Sequence, residues 1–343
     1  MTIVALDGRG AERGADAVIA GVRLAVADGI GVRVFGDEAE LAQLRDIDDA
    51  ELVAAPGAIT NDDDPVAAVR ANPGASVVLA AADVAAGRSQ ALASSGPTGA
   101  TMTAALFAIK RSRGVRRPAL AVQIQVPGRD GPPLVLLDAG ANAEVRPGDL
   151  VQFAYLGAAF SRAVLGVERP RVALLSVGEE PKKGTADVVE AHDELARADA
   201  IDFRGNLEGR DLLAGIADVV VTDGFTGNVA LKTIEGTARA VADAVRDAAR
   251  SGPIATLGGL LLRPALGGLR RRMDPDATGG AILLGLRGVA VVGHGSAGPE
   301  GIANAVRLAA RAVEERAVER TAELLDASGA TRGAMRDRKE GRT

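Results

Sequence analysis

The stretch Asp218-Val219-Val220-Val221-Thr222-Asp223-Gly224-Phe225-Thr226-Gly227-Asn228 decides the fold. A run of valines enters a loop of Thr, Asp and Gly. From 228 to 250 the pattern turns helical, with Ile234, Ala238, Val241 and Val245 at i, i+4, i+7 and i+11. A short strand with no polar face belongs in a parallel sheet that helices cover on both sides. The same grammar recurs outward in both directions. Strands are expected at 3–6, 32–35, 90–93, 120–126, 134–137, 172–176, 219–222, 282–284 and 289–292. Helical spacing returns at Ile302, Val306, Ala309 and Val313. This alternation predicts an α/β fold: a doubly wound, mostly parallel sheet sandwiched by helices. One domain is expected over 1–327, with a loose tail at 328–343. The segment 250–276, RSGPIATLGGLLLRPALGGLRRRMDPD, does not fit a sheet. It predicts a projecting helical hairpin with an apolar tip, set against either a partner subunit or a membrane.

Composition narrows the chemistry. The 343 residues include 40 Lys and Arg, 45 Asp and Glu, two His, seven aromatics and no Cys. Without cysteine there is no disulfide, no thiolate metal site and no cysteine nucleophile. A net charge of −5 with few stacking rings argues against nucleic acid. The first residues, MTIVALDGRG, lack a basic leader, and no apolar window reaches about 18 residues, so a cytoplasmic protein is expected. Neither histidine has a metal-ligand partner nearby in sequence, and no metal or cofactor is expected. His192 sits in a polar helical pattern and is expected at the surface. His294 follows the strand at 289–292 and is open between ligand contact and a structural hydrogen bond.

In parallel sheets ligands gather beyond the carboxyl ends of the strands. Four such loops share glycines and small polar residues: 94–99 (SSGPTG), 138–142 (DAGAN), 177–184 (VGEEPKKG) and 222–228 (TDGFTGN). Glycines admit a close ligand, and N–H groups at a helix start favour an anion. With Asn142, Lys183 and Asn228 among them, the four loops together favour a phosphate-bearing ligand. Gly8, Gly10 and Gly14 are spaced GxGxxxG, one residue off the dinucleotide fingerprint, and there is no GxxxxGK[ST] loop, which disfavours a dehydrogenase or a P-loop kinase.

The runs LLDAGANAE, LLSVGEEPKKG, FRGNLEGRD, VVVTDGFTGNVALKTIEG, GGAILLGL and GHGS, in this order and spacing, resemble the bacterial phosphate acyltransferase family. The similarity spans from Ile3 to about Glu315. It implies a fold related to phosphotransacetylases and isopropylmalate-type dehydrogenases, in a homodimer with its cleft near the subunit junction. It implies that acyl-[acyl carrier protein] and inorganic phosphate become acyl phosphate, which a membrane glycerol-phosphate acyltransferase consumes in phospholipid synthesis. Asp138, Asn142, Lys183, Asp223, Gly227, Asn228, Lys232 and His294 match the family pattern. The family's N-terminal Asp-Ala-Met-Gly-Gly-Asp is Asp7-Gly8-Arg9-Gly10-Ala11-Glu12 here, and Pro97 stands where relatives carry Asn in the loop ending Thr98-Gly99-Ala100.

A cysteine-free chain forms no cysteine acyl-enzyme, so direct attack of phosphate on the thioester is the economical route. Lys183 is expected to neutralise phosphate, and Asn228 to hydrogen-bond the oxyanion or phosphate. Asp223 would orient either of them, and His294 would donate to the intermediate. Thr98, Gly99, Asp138, Asn142 and Gly227 would shape the anion pocket, and Lys232 would bind substrate or pair on its helix. An acidic carrier calls for a basic patch: Arg263 with Arg270, Arg271 and Arg272, or Lys110 with Arg111, Arg113, Arg116 and Arg117. Two other readings stand beside this one. One is a short-chain phosphotransacetylase using acyl-CoA. The other is a weakened, membrane-associated scaffold.

Overall fold

The computed structural model describes residues 1–129, 131–272 and 275–340, with side chains except at 264–266, 268–272, 275 and 338–340. In the described residues the strands are β1 (Ile3–Asp7), β2 (Gly31–Gly36), β3 (Ala50–Ala54), β4 (Ala91–Ser94), β5 (Ala119–Ile124), β6 (Leu134–Leu137), β7 (Arg171–Ser176), β8 (Asp202–Glu208), β9 (Val219–Val221), β10 (Ala281–Leu284) and β11 (Val289–Val292). The helices are α1 (Gly14–Ala27), α2 (Pro65–Ala71), α3 (Ser76–Ala85), α4 (Thr98–Ala108), α5 (Pro147–Leu165), α6 (Ala186–Leu195), α7 (Gly224–Ala249), α8 (Pro253–Arg272), α9 (Pro299–Glu314), α10 (Ala317–Ala327) and α11 (Arg332–Glu340).

One sheet runs through the molecule in the order β3-β2-β1-β4-β11-β10-β5-β6-β9-β7-β8. Seven of its ten pairings are parallel; the three antiparallel ones lie between β11 and β6. The mostly parallel sheet read from the apolar runs is therefore present. The antiparallel centre also reverses the chain: β6, β9, β7 and β8 run opposite to β1, β2, β3, β4 and β11. Helices α1, α5, α6, α9 and α10 pack into one core with Leu6, Val34, Leu137, Val219 and Val291. On the other face α2, α3 and α4 cover Phe35, Leu92 and Ala290. The start of α7 covers Leu136, Leu175 and Val220. Helix α5 is buried nearly all round, including Phe153 and Phe160.

Three expectations change. Strands β3 and β8 were not expected; both are sheet edges, half-solvated and weakly apolar, so no apolar run marks them. His192 is buried on α6 rather than exposed, with its ring edge-to-face on Phe203 at 5.2 Å. The described part of 328–343 is not a loose tail: it carries α11 and is anchored to the body. Gln152 Nε2 donates to Ala330 O at 2.7 Å, Arg332 N donates to Gly114 O at 2.7 Å, and Met335 is buried. At 250–276, α8 folds back along α7 as the second arm of a helical pair. Ile254, Leu257 and Leu261, at i, i+3 and i+7, are 90, 61 and 75% exposed.

Candidate active site

Buried carboxylates at the carboxyl ends of strands anchor two of the candidate loops, 138–142 and 94–99. After β6 the anchor is Asp138, fully buried. Its Oδ1 accepts N–H bonds from Leu120, Gly140 and Ala141 at 2.9–3.1 Å. Its Oδ2 accepts from Asn142 N and Asn142 Nδ2, both at 2.7 Å. Burial pushes this carboxyl above its usual range despite these donors. Asn142 Nδ2 also donates to Pro118 O at 2.8 Å. The carboxylate and amide predicted as pocket groups are thus taken up in holding their own loop.

That loop supports the next one. Gly224 N donates to Asn142 O at 2.7 Å, and Asp223 caps α7 by accepting from Thr226 N at 2.8 Å. Asp223 therefore orients the helix that carries Asn228 and makes no bond to Lys183 or to the Asn228 side chain. Gly227 is required sterically, since a Cβ there would overlap the Asp138 carbonyl oxygen. Asn228, the next residue, is exposed, with its side chain over Gly140. One turn on, Lys232 pairs with Glu235 at 2.9 Å, the structural alternative held open for it.

After β7, the chain folds back so that Ser176 Oγ donates to Lys183 O at 2.9 Å. Asn206 Nδ2, on β8, donates to Glu180 O at 2.9 Å. Gly184 completes the turn at φ +110°, a left-handed conformation that suits glycine, and Thr185 caps α6 through Val188 N. The Lys183 side chain is exposed, and no ion pair of the described residues includes it.

The remaining candidates form a second cluster, at the carboxyl ends of β1, β4 and β11. Its anchor is Asp7, whose Oδ1 accepts from Ser76 Oγ at 2.5 Å and whose Oδ2 accepts from Ser94 Oγ at 2.8 Å. Burial pushes this carboxyl up as well. Gly10 and Gly96 pack back to back against Asp7, where a Cβ on Gly10 would lie 2.5 Å from the Gly96 Cα. Pro97 is the N-cap of α4, and no side chain caps that helix. The first N–H groups of α4, at Thr98 and Gly99, precede its first internal bond, from Thr101 N to Pro97 O. Pro97 therefore removes one of the helix's four open N–H groups as well as an amide side chain, and leaves those of Thr98, Gly99 and Ala100. His294 is exposed; its Nδ1 accepts from Ser296 N at 3.3 Å and meets Ser296 Oγ at 2.8 Å. That partnership assigns the neutral ring's proton to Nε2, the outward nitrogen.

The candidates thus gather into two clusters: Asp138, Asn142, Asp223, Gly227 and Asn228 in one, Thr98, Gly99 and His294 in the other. Lys183 stands on the loop after β7, next to β9 in the sheet. The polar groups given no role of their own in the sequence are Asp7, Ser76, Ser94 and Asn206. The two serines bind a carboxylate from a distant strand, which no local pattern reveals. Asn206 lies inside the quoted FRGNLEGRD run but on an unexpected strand. The described residues hold no group of three or more His, Asp or Glu able to hold a metal ion.

Comparison with known proteins agrees with this architecture. Residues 2–320 match the family model described as "Fatty acid synthesis protein". A phosphate acyltransferase of Elusimicrobium minutum is 44% identical over 319 residues, covering 91% of this chain and 92% of its own. One from Lacticaseibacillus casei is 42% identical over 328 residues, covering 94% and 96%. Among solved structures, a phosphotransacetylase from Streptococcus pyogenes superposes with a TM-score of 0.59 over 91% of this chain and 94% of that one, at 17% identity. That likeness shows the shared α/β fold. The identities over nearly the full length show more: the chain belongs to the phosphate acyltransferase family.

Proposed function

We propose that the protein transfers a long-chain acyl group from acyl-[acyl carrier protein] to inorganic phosphate. A phosphate oxygen attacks the thioester carbonyl carbon and a tetrahedral oxyanion forms. The C–S bond then breaks, releasing acyl phosphate and the carrier thiolate, which takes a proton from solvent. Phosphate is already an anionic nucleophile near neutral pH, and a thiol of pKa about 8.5 is a competent leaving group. The enzyme's task is then to bring anions together and stabilise the oxyanion.

The observation that carries this reading is that Lys183 and Asn228 are exposed while the groups around them are committed to holding their loops. Lys183 supplies positive charge to phosphate, and Asn228 donates to phosphate or the oxyanion. The open N–H groups of α4 and the outward Nε2–H of His294 suit the same anions. Asp138, Asn142, Asp223 and Gly227 position rather than touch, and Lys232 is a surface pair.

The carrier, being acidic, docks on a basic collar beside the Asn142 loop. Lys110, Arg111, Arg113 and Arg117 are exposed there, and Arg117 Nη1 donates to Glu144 O at 3.0 Å. Arg116 is instead held inward by Asp149 at 2.7 Å. The rival patch at Arg263 is exposed, but the side chains of Arg270, Arg271 and Arg272 lie outside the described residues. We further assign the exposed apolar side of α7, with Val241 and Val245, to a homodimer contact, and α8 to peripheral membrane contact on the way to a membrane acyltransferase. No described helix is long and apolar enough to cross a membrane.

The phosphotransacetylase likeness favours one second reading, a short-chain enzyme using acyl-CoA. Trapping acyl phosphate as hydroxamate with phosphate and either long-chain acyl carrier or acyl-CoA separates them. Product from the carrier at the higher kcat/KM supports the proposal. Preference for short acyl-CoA overturns it, and no product from either leaves the scaffold reading.

A further inference from the structure

Asn206 is buried, at 7% exposure, on the outermost strand β8, where nothing in the sheet requires an amide. Two local irregularities turn it inward. The register between β7 and β8 shifts between Val172 and Leu174, and Gly205 adopts φ +85°. Such a bulge re-aims the side chain that follows it. Asn206 Nδ2 then donates to Glu180 O at 2.9 Å and approaches Lys183 O at 3.5 Å. Ser176 Oγ binds the same Lys183 carbonyl from β7. Two neighbouring strands therefore reach into one exposed loop at the residue whose side chain is left free. The other half of the amide, Oδ1, is buried with no hydrogen-bond partner among the described residues.

We infer that Asn206 is a positioning residue for phosphate binding: it fixes the 180–183 turn so that the Lys183 ammonium is presented in one place. The inference rests on the reading of Lys183 as the group that neutralises phosphate. Held loosely, Lys183 would keep its charge and lose its preorganisation, so the loss falls on phosphate and spares the thioester.

The test is steady-state kinetics with the full chain, varying phosphate and acyl thioester separately. Asn206→Leu keeps the volume and removes the donor. It is expected to raise the phosphate KM about tenfold, the size of one lost hydrogen bond, and to change the thioester KM by less than about twofold. In a Lys183→Ala background the same substitution is expected to add nothing to the phosphate KM. An unchanged phosphate KM, a parallel rise in both KM values, or a full additional loss without Lys183 would overturn the inference. Should Asn206→Leu fail to fold, Asn206→Ala removes the same donor without adding a charge and is judged by the same criteria. Lys183→Ala alone tests the underlying reading: wild-type phosphate kinetics in that variant would refute it, whatever the Asn206 variants do.

Discussion

At the scale of single residues, the site divides into groups that build loops and groups that are left for ligands. Asp138 takes five N–H bonds and is fully buried. Asp138→Ala would strand several buried donors, and a loss of about 3 kcal/mol or more of folding stability is expected, read by denaturant melting. Lys183→Ala should behave in the opposite way. Its side chain is exposed and unpaired, so the melt should shift little while kcat/KM falls about a hundredfold or more. From the sequence both residues read as pocket groups, because a polar residue after a strand looks alike whether it faces ligand or loop. Burial and bond count distinguish them, and for Asp138 these depend on Leu120 N from another strand.

At the scale of elements, legibility followed burial. Strands with two buried faces, such as Leu134–Leu137 and Val219–Val221, announce themselves as apolar runs. The edge strands β3 and β8 carry AELVA and DFRGNLE, and their identity comes from the neighbour they pair with. Helix α11 was hidden for a similar reason: among the described residues it docks through Met335 and the backbone at Ala330 and Arg332, with no apolar run to mark it. Of the helical hairpin expected at 250–276, the described residues form one helix, α8, and its partner arm is α7. The exposed face of α8, Ile254, Leu257 and Leu261, is apolar at helical spacing, and each leucine buried would contribute about 1.5–3 kcal/mol. Wild-type protein is therefore expected to float with anionic liposomes at low salt. Leu257→Glu with Leu261→Glu, or charge reversal at Arg270, Arg271 and Arg272, should abolish flotation while activity on soluble substrate persists. Equal flotation of all variants would remove α8 from the membrane account.

At the scale of the whole molecule, the reversed half of the sheet needs a tie, and Asp218 supplies one. Arg171 holds it through Nε and Nη2 at 3.0 Å, and Arg129 at 2.9 Å. Burial opposes its charge, but these bonds win and hold the carboxyl at about 2, against an ordinary value of 3.8. A lowered folded-state pKa means stability that is complete above about pH 4 and is lost as pH falls towards 2. The term is worth about 2 kcal/mol. Asp7 and Asp138, whose carboxyls burial raises, act in the opposite sense, so Asp218→Asn is the variant that isolates it. That variant is expected to be less stable at pH 7 and to show a flatter stability profile between pH 4 and 2.

The direct-attack account stands or falls on one measurement: thiol release from acyl carrier and acyl hydroxamate formation, followed together against phosphate concentration. The two are expected to rise in a one-to-one ratio, to vanish without phosphate, and to fall together in Lys183→Ala. Thiol release without phosphate, or an acylated form of the protein accumulating before phosphate is added, would contradict it.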